Sequence, residues 1–438
     1  MPRAQRGQAL VLGLFVLFLG TISLFFLFST GQVSADKQRV TNAADAAAYS
    51  AALWRARVLN YDAYSNRAMI ANEVAVAQTL TLASEVQYLK NTAACFAREE
   101  GDGGELCEAL LPNITQFIPY FVAALEYAYI GLQYADMGLK YTIDAEITYR
   151  SSVVNRALSL SQIPMHASAN FAVLDNLVDQ VVRANDPNFR STVLPETQLF
   201  ERFTKRYSGD DRSRLANIVR QELDPYSKGR HFTLTVIPDI CVAGLIYRKR
   251  GATALSEDMD RWEATDDFSE WRYHFSLKHG CQKDEYPMAW GDRQGAGESD
   301  PAPSRTRDNP DAFDNARDAA YTVDNYAGIQ PFQDLAYDNL NGSDPNVRNP
   351  KHAVGVVVSL PADNLRTANR LNVGVGRLRM AENVSRNRIA SVGAAEVYFK
   401  RPTPRGDGRI ELPSLFNPYW QARLVEPTVA QRALAATL

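Results

Sequence analysis

The chain opens on an uninterrupted apolar run. From Gly7 to Ala35 there is no charged residue, and the densest part, Ala9–Phe28, is 20 residues long. At about 1.5 Å per residue, a helix of that length spans roughly 30 Å, the hydrocarbon thickness of a bilayer. A cleavable export signal has a shorter apolar region, about 7–15 residues. Length therefore predicts a retained membrane span, although Val33-Ser34-Ala35 offers small residues that a signal peptidase could use. Arg3 and Arg6 precede the run, so the N-terminus is expected on the cytoplasmic side. No later stretch reads as a span. Ile118–Leu132 comes nearest, but Glu126 interrupts it and Pro119 sits near its start.

The pattern then changes abruptly. Gln38, Asn42 and Asp45 are spaced i, i+4, i+7 and so share one helical face. Ala43, Ala47, Ala51, Trp54 and Val58 form a neighbouring apolar stripe of the same period. Alanine is the best helix former, and its small side chain lets another element approach closely. No Pro or Gly occurs from Gln32 to Glu100. The prediction is one long helix that leaves the bilayer as a stem, packing beside other helices or against its own head. The candidate partner contacts are Gln38, Asn42 and Asp45 with Ala43, Ala47 and Ala51. The plain alternative makes the three polar residues only the wetted face of the stem.

Beyond the stem the pattern stays helical and then turns to strands. Cys95 to Cys107 contains three glycines and reads as a turn between helices. Glu108–Arg183 is helical and rich in tyrosine. Phe117, Tyr120, Phe121, Ala124, Tyr127 and Ala128 form an i, i+3, i+4 stripe expected to be core. Asp210 and Asp211 open a short helix through Leu223. Strand character begins near Gly229. His231–Pro238, Ala243–Tyr247, Ala353–Leu360, Leu371–Leu378 and Ala394–Phe399 combine β-branched and aromatic residues. The fold class is therefore α+β, with a mixed or antiparallel sheet carrying helices on one face. The chain divides into a leader and anchor (1–31), a helical stem and bundle (32–228) and an α+β head (229–438). Gly291–Asp311 has no large apolar residue and reads as an exposed loop. Phe416, Tyr419 and Trp420 either wrap onto the head or face a partner.

Composition narrows the chemistry. The 438 residues carry a formal charge of -3, and nothing resembles the concentrated basic surface that nucleic acid requires. The four cysteines, Cys95, Cys107, Cys241 and Cys281, form no C-x-x-C. An even count beyond an export segment suggests disulfides. The economical pairing is Cys95 with Cys107 and Cys241 with Cys281, with other connectivities and buried free thiols left open. There is no G-x-S-x-G, H-E-x-x-H or Walker A pattern. His274 and His279, near Cys281, are spaced poorly for one metal ion. Seven acids lie in the 14 residues Glu257–Glu270, interleaved with Trp262 and Phe268, and read as an acidic outer face over buried aromatics. No catalytic residue, metal site or cofactor is expected.

Arg6-Gly7-Gln8-Ala9-Leu10, followed by a span and then Gln38-Arg39-Val40-Thr41-Asn42-Ala43-Ala44-Asp45-Ala46-Ala47-Ala48, resembles the N-terminus of the TadE/TadG-like proteins of the tight-adherence (Flp) pilus assembly system. The resemblance implies a structural, non-enzymatic, pseudopilin-like component anchored once in a bacterial inner membrane, with the bulk of its chain in the periplasm. Its partners would be pilins, other pilus-assembly proteins or further copies of itself. Two departures bear on this. Counting from Gln8, the fifth position is Leu12, where precursors cleaved after Gly usually carry Glu. That argues against cleavage after Gly7 and against a place along a pilus shaft. The D-x-S-x-S metal motif of larger members is absent from the sequence. Two other readings use the head instead: an anchored periplasmic enzyme, marked by titratable groups converging on a concave pocket, or a surface adhesin presenting Phe416, Tyr419 and Trp420.

Overall fold

The computed structural model describes residues 8–97, 119–238, 241, 244–295, 321–323, 326–336, 350–366, 388–409 and 411–437. Its first element is a single helix, α1 (Gln8–Ala97), 90 residues long and without a break. It is followed by α2 (Pro119–Ile147), a π-helical stretch at Thr148–Asn155, α3 (Arg156–Ala167) and α4 (Phe171–Asn185). Next come β1 (Arg190–Val193), β2 (Thr204–Tyr207), α5 (Ser213–Glu222) and a one-turn helix α6 (Pro225–Lys228). The strands β3 (Phe232–Ile237), β4 (Gly244–Leu255), β5 (Trp262–Ser276), β6 (Gly280–Gly295) and β7 (Tyr321–Val323) follow in succession. The chain ends with β8 (Phe332–Leu335), β9 (His352–Pro361), β10 (Arg388–Phe399), β11 (Trp420–Leu424) and α7 (Val429–Thr437). The class is α+β, as the alternation of patterns predicts.

These elements form two compact units that interleave in sequence. The first unit takes residues 1–64, 162–205 and 333–438, and the second takes 65–161 and 206–332.

In the first unit, β1, β9, β10 and β11 form an antiparallel four-stranded sheet in that order. The alanine-rich part of α1 lies on it. Ala43, Ala44, Ala47, Ala48, Ala51 and Ala52 are completely buried, in one core with Val354, Val356 and Val358 of β9 and Ala395 and Val397 of β10. The contact is close enough to reach the backbone. A Cβ added at Gly393 would lie 2.1 Å from the carbonyl oxygen of Ala44. Only glycine in the strand and small residues on the helix permit that approach. Thr41 Oγ1 meets Ser391 Oγ at 2.9 Å, and Arg39 pairs with Asp186 at 2.6 Å. The C-terminal aromatic segment wraps onto the same unit. Trp420 is buried, its backbone NH donates to Asn60 Oδ1, its carbonyl accepts from Asn60 Nδ2, and Phe416 is buried too.

In the second unit, β3 to β7 form a five-stranded sheet in sequence order, antiparallel except for the parallel pair β6–β7. The later part of α1 follows β5. Glu73 meets Trp262, Ser84 meets Asp266 and Tyr88 meets Phe268. These strand partners are all even-numbered, as one face of a period-two strand requires. A glycine again sets the approach: a Cβ on Gly291 of β6 would fall 2.1 Å from the carbonyl oxygen of Ser84. Cys241 and Cys281 form a disulfide with Cα atoms 5.2 Å apart. Closing a loop of that separation contributes about 4 kcal/mol in the chain-entropy model. Cys95 is also disulfide-bonded, and Cys107 lies outside the described residues.

Three expectations are corrected. Gly291–Gly295 belongs to β6, and Gly291 is buried under α1 rather than looped out; 296–311 lies outside the described residues. The acids of β5 do not form an outer face. Glu263, Asp266, Asp267 and Glu270 are buried: Asp266 and Asp267 face the buried cations Arg230, Lys249 and Arg250, while Glu263 pairs with Arg261 and Glu270 with Arg272. The tyrosine stripe of α2 is not core: Tyr127 is 78% exposed, and Ala124 and Ala128 are exposed with it. The inner face of α2 runs instead through Ile143 and Ile147. Phe117 and the strand expected at 371–378 lie outside the described residues, as do the side chains of Tyr120 and Phe121.

The glycine contacts yield a prediction. Gly393→Ala forces the helix off the sheet and is expected to cost about 1–3 kcal/mol, the usual penalty of overpacking. Gly406→Ala, where nothing lies within 4 Å of the added Cβ, serves as control. Denaturant unfolding of the two variants checks this, and equal midpoints would count against the close approach.

Candidate functional site

The earliest part of α1 is bare. Its apolar window lies wholly outside the protein interior, with Leu10, Leu14, Phe18 and Leu24 each at least 60% exposed. By length and composition this helix can cross a membrane. A contiguous apolar surface of this size is not left to water in a soluble monomer. Arg3 and Arg6 lie outside the described residues.

Past the window the helix separates two surfaces. Ala43, Ala47 and Ala51 face inward and are sealed by the chain's own sheet. They are therefore not a contact surface for another chain in this conformation. The opposite surface is open. Gln38 and Asn42 are exposed, Tyr49 is 40% exposed, and Asp45 lies half-buried between them in sequence. Burial, together with the neighbouring Glu426 charge, raises the Asp45 carboxyl above its ordinary range. The four residues continue the i, i+4, i+7 series by one further turn and make a narrow polar strip.

The second unit shows an apolar seam on α2. Tyr127, Ile130, Tyr134, Met137 and Tyr141 are all exposed, by 47–78%. Their spacing alternates three and four residues, the repeat by which one helix packs along another. Sequence reasoning found the tyrosine pattern but assigned its face to the core.

Titratable groups do converge, but inside the units. In the first, the Arg55 guanidinium is fully buried against the Phe200 ring at 4.6 Å, and it donates to the Thr197 carbonyl at 2.7 Å. Its Nη1 lies 3.2 Å from His352 Nδ1. A guanidinium can only donate, so this nitrogen accepts and the imidazole is neutral. Burial and the Arg55 charge hold His352 down to about 3, and burial lowers Arg55 to about 9. In the second unit, buried Glu73 accepts from Asn155 Nδ2 at 2.8 Å, Trp262 Nε1 at 3.1 Å and Tyr326 Oη at 2.8 Å. Burial pushes its carboxyl up to about 7 against those three donors. Asp266 is held bidentately by Arg230, at 2.8 and 2.9 Å, and accepts from Ser84 at 2.7 Å. Burial also raises Asp267 to about 7, opposed by Arg250. Protein donors occupy both oxygens of Glu73 and of Asp266, which suits packing rather than catalysis. Among the described residues, no group of three or more His, Cys, Asp or Glu side chains gathers as metal ligands. His274 instead lies 3.4 Å from Asp284 at the surface. Arg55, His352 and Glu73 carried no motif in the sequence, since their partners lie far away along the chain.

These shifts act in opposite directions on stability. Glu73 keeps its proton in the fold up to about pH 7, whereas the unfolded chain loses it near 4.5. Its contribution is whole below 4.5 and is lost as pH rises to about 7, by about 3 kcal/mol. His352 is neutral in the fold down to about 3, while the unfolded chain binds a proton below 6.5. Its contribution is present above 6.5 and is lost as pH falls toward 3, by about 5 kcal/mol. Glu73→Gln is expected to flatten the first slope and His352→Gln the second. Hydrogen exchange of β5 and β9 across pH 3–8 measures both, and unchanged slopes would refute the assignments.

Residues 7–56 match the family model described as "Putative Flp pilus-assembly TadE/G-like". The match spans the bare window, the polar strip and the alanine face, and it takes in the buried Arg55 near its end. No curated protein and no solved structure matches the chain.

Proposed function

We propose that this protein is a structural, membrane-anchored and pseudopilin-like component of a Tad/Flp-type pilus assembly apparatus, and that it acts by helix–helix packing. The observation that carries the reading is the coincidence of the TadE/G-like match with one unbroken helix. That helix passes from a bare apolar window into a sheet-bound alanine face. The window anchors the chain in the inner membrane, with the N-terminus cytoplasmic and the bulk periplasmic. The stem and bundle of 32–228 then carry the partner surfaces, and 229–438 supplies most of the strands that hold the stem.

With the alanine face closed, the surfaces left for pilins, other assembly proteins or a second copy are the polar strip Gln38–Asn42–Asp45 and the α2 seam. A seam with three-four spacing needs a partner helix, which favours assembly over catalysis. Phe416 and Trp420 are buried and Tyr419 half-buried, which weakens an adhesin reading that rests on these three residues. The pairing of both oxygens of Glu73 and of Asp266 supports a packing role for these two carboxylates.

Site-specific photocrosslinking in cells tests this. Probes at Asn42 and Tyr134 are expected to capture pilus-assembly proteins or a second copy, while a probe at Ala47 captures only the chain's own sheet. Recovery of lipid alone from Asn42 and Tyr134 would overturn the reading.

A further inference from the structure

The seam of α2 carries a repeat that the packing of its own chain does not use. Tyr127-Ala128-Tyr129-Ile130-Gly131-Leu132-Gln133 and Tyr134-Ala135-Asp136-Met137-Gly138-Leu139-Lys140 are successive heptads that agree at tyrosine, alanine, glycine and leucine. Tyr141 opens a third heptad, in which Ala145 takes the place of the glycine. Of the shared positions only the leucines turn toward the protein; the tyrosines, alanines and glycines are exposed. Glycine inside a helix is destabilising relative to alanine. Gly393 and Gly291 are required by a close backbone approach, but a Cβ at Gly131 or Gly138 would meet nothing within 4 Å. With Ala124 and Ala145 these two glycines form a row of small exposed residues at every seventh position. Tyr127, Tyr134 and Tyr141 stand between successive members of that row, three or four residues from each, and so share its face. One stripe thus bears large knobs and small notches in alternation.

The open face continues past α2. In the π-helical stretch, exposed Tyr149 and Val153 alternate with buried Ser151 and Asn155, and in α3 exposed Leu160 adjoins buried Ser159. From Tyr127 to Leu160 the face extends about 50 Å along the helix axis. Its four tyrosines are 60–78% exposed. Together they offer roughly 550 Å², taking about 200 Å² for a whole aromatic side chain. A stable interface takes about 800 Å² from each partner. Ile130, Met137, Val153 and Leu160, each about half exposed, supply the remainder. The seam is therefore large enough to hold a dimer by itself.

We propose that this face pairs with the same face of a second copy of the chain, the two α2 helices running parallel. A surface that alternates knob and notch is complementary to itself, as a two-fold interface requires. In a parallel pair each residue lies level with its own copy. Tyr134 of one chain then enters the notch between Gly131 and Gly138 of the other. The direction follows from the anchor. α2 runs back along α1, since Asp136 pairs with Lys90 while Arg150 and Asn155 reach Asn72. Two chains anchored by α1 in one bilayer run the same way, and so do their α2 helices. Sharing a membrane also raises the effective concentration of one copy for the other. The pairing rests on the anchored-assembly reading above and names the occupant of one of its surfaces.

The test uses the full chain in membranes, with one cysteine added at an exposed alanine and disulfides induced by copper phenanthroline. Ala124→Cys and Ala145→Cys, both in the row of small residues, are each expected to give a disulfide-linked dimer. Ala128→Cys, exposed but off the row, is expected to stay monomeric. An antiparallel pair can bring at most one of positions 124 and 145 against its own copy, so a dimer at only one of them overturns the proposal. Absence of a dimer at both overturns it, and so does equal crosslinking at Ala128, which marks random collision. Gly131→Leu combined with Gly138→Leu fills the notches and is expected to cut the Ala145→Cys dimer about tenfold. Leucine is the better helix former and nothing in the chain crowds either position, so this variant keeps its helix, as circular dichroism verifies. An unchanged dimer yield in it overturns the pairing. The alanine comparison needs no glycine variant and decides alone if that variant fails to fold. Capture of another assembly protein but no second copy by the Tyr134 probe overturns the pairing and leaves the assembly reading standing. Capture of lipid alone by both the Asn42 and Tyr134 probes overturns both.

Discussion

The structure depends on how closely the backbone of α1 approaches the strands beneath it. A helix normally stands off a sheet by the length of its side chains. Here Gly393 lies against Ala44 and Gly291 lies against Ser84, each so near that a single methyl group would strike the helix backbone. The six buried alanines make that possible in the first unit, and Thr81, Ser84 and their strand partners Thr253 and Asp266 do so in the second. Small residues on the helix and glycine in the strand are one device used twice.

The same constraint explains why so much polarity is buried. Where Gly291 meets Ser84 the close backbone approach favours short hydrogen-bonding groups such as Ser84 and Thr81. Asp266 then requires Arg230 and Lys249, and Glu73 requires Trp262, Tyr326 and Asn155. Removing one member strands the others as unpaired buried polar groups, which costs more than the pairing itself contributes. Such networks specify one register of helix on strand.

Closing the alanine face also redirects the functional reading. An alanine stripe directly after a membrane span looks like an invitation to neighbouring helices, yet its own sheet already occupies it. Among the described residues, the narrow polar strip of α1 and the heptad-like seam of α2 remain outward.

The sequence alone was enough for the long helix and for part of the strand pattern. The apolar window, the unbroken helix from Gln32 to Ala97 and strands within 231–238, 243–247, 353–360 and 394–399 follow from periodicity, propensity and the absence of breakers. But β4 and β10 run well beyond those bounds, the long strands β5 and β6 were not legible, and the Cys241–Cys281 bridge was only the economical pairing among several. The resemblance at residues 7–56 was legible for the same reason, since it resides in contiguous residues. Only the tertiary structure decided which face of each element is covered. It placed Asp266 and Asp267 of β5 inside, because Arg230, Lys249 and Arg250 arrive from other positions in the chain. It left Tyr127, Tyr134 and Tyr141 outside, because no described element lies over that side of α2. It gave the alanine stripe to strands more than 300 residues away. Periodicity shows that a helix has two faces, but what lies against each is a long-range contact that no local pattern encodes.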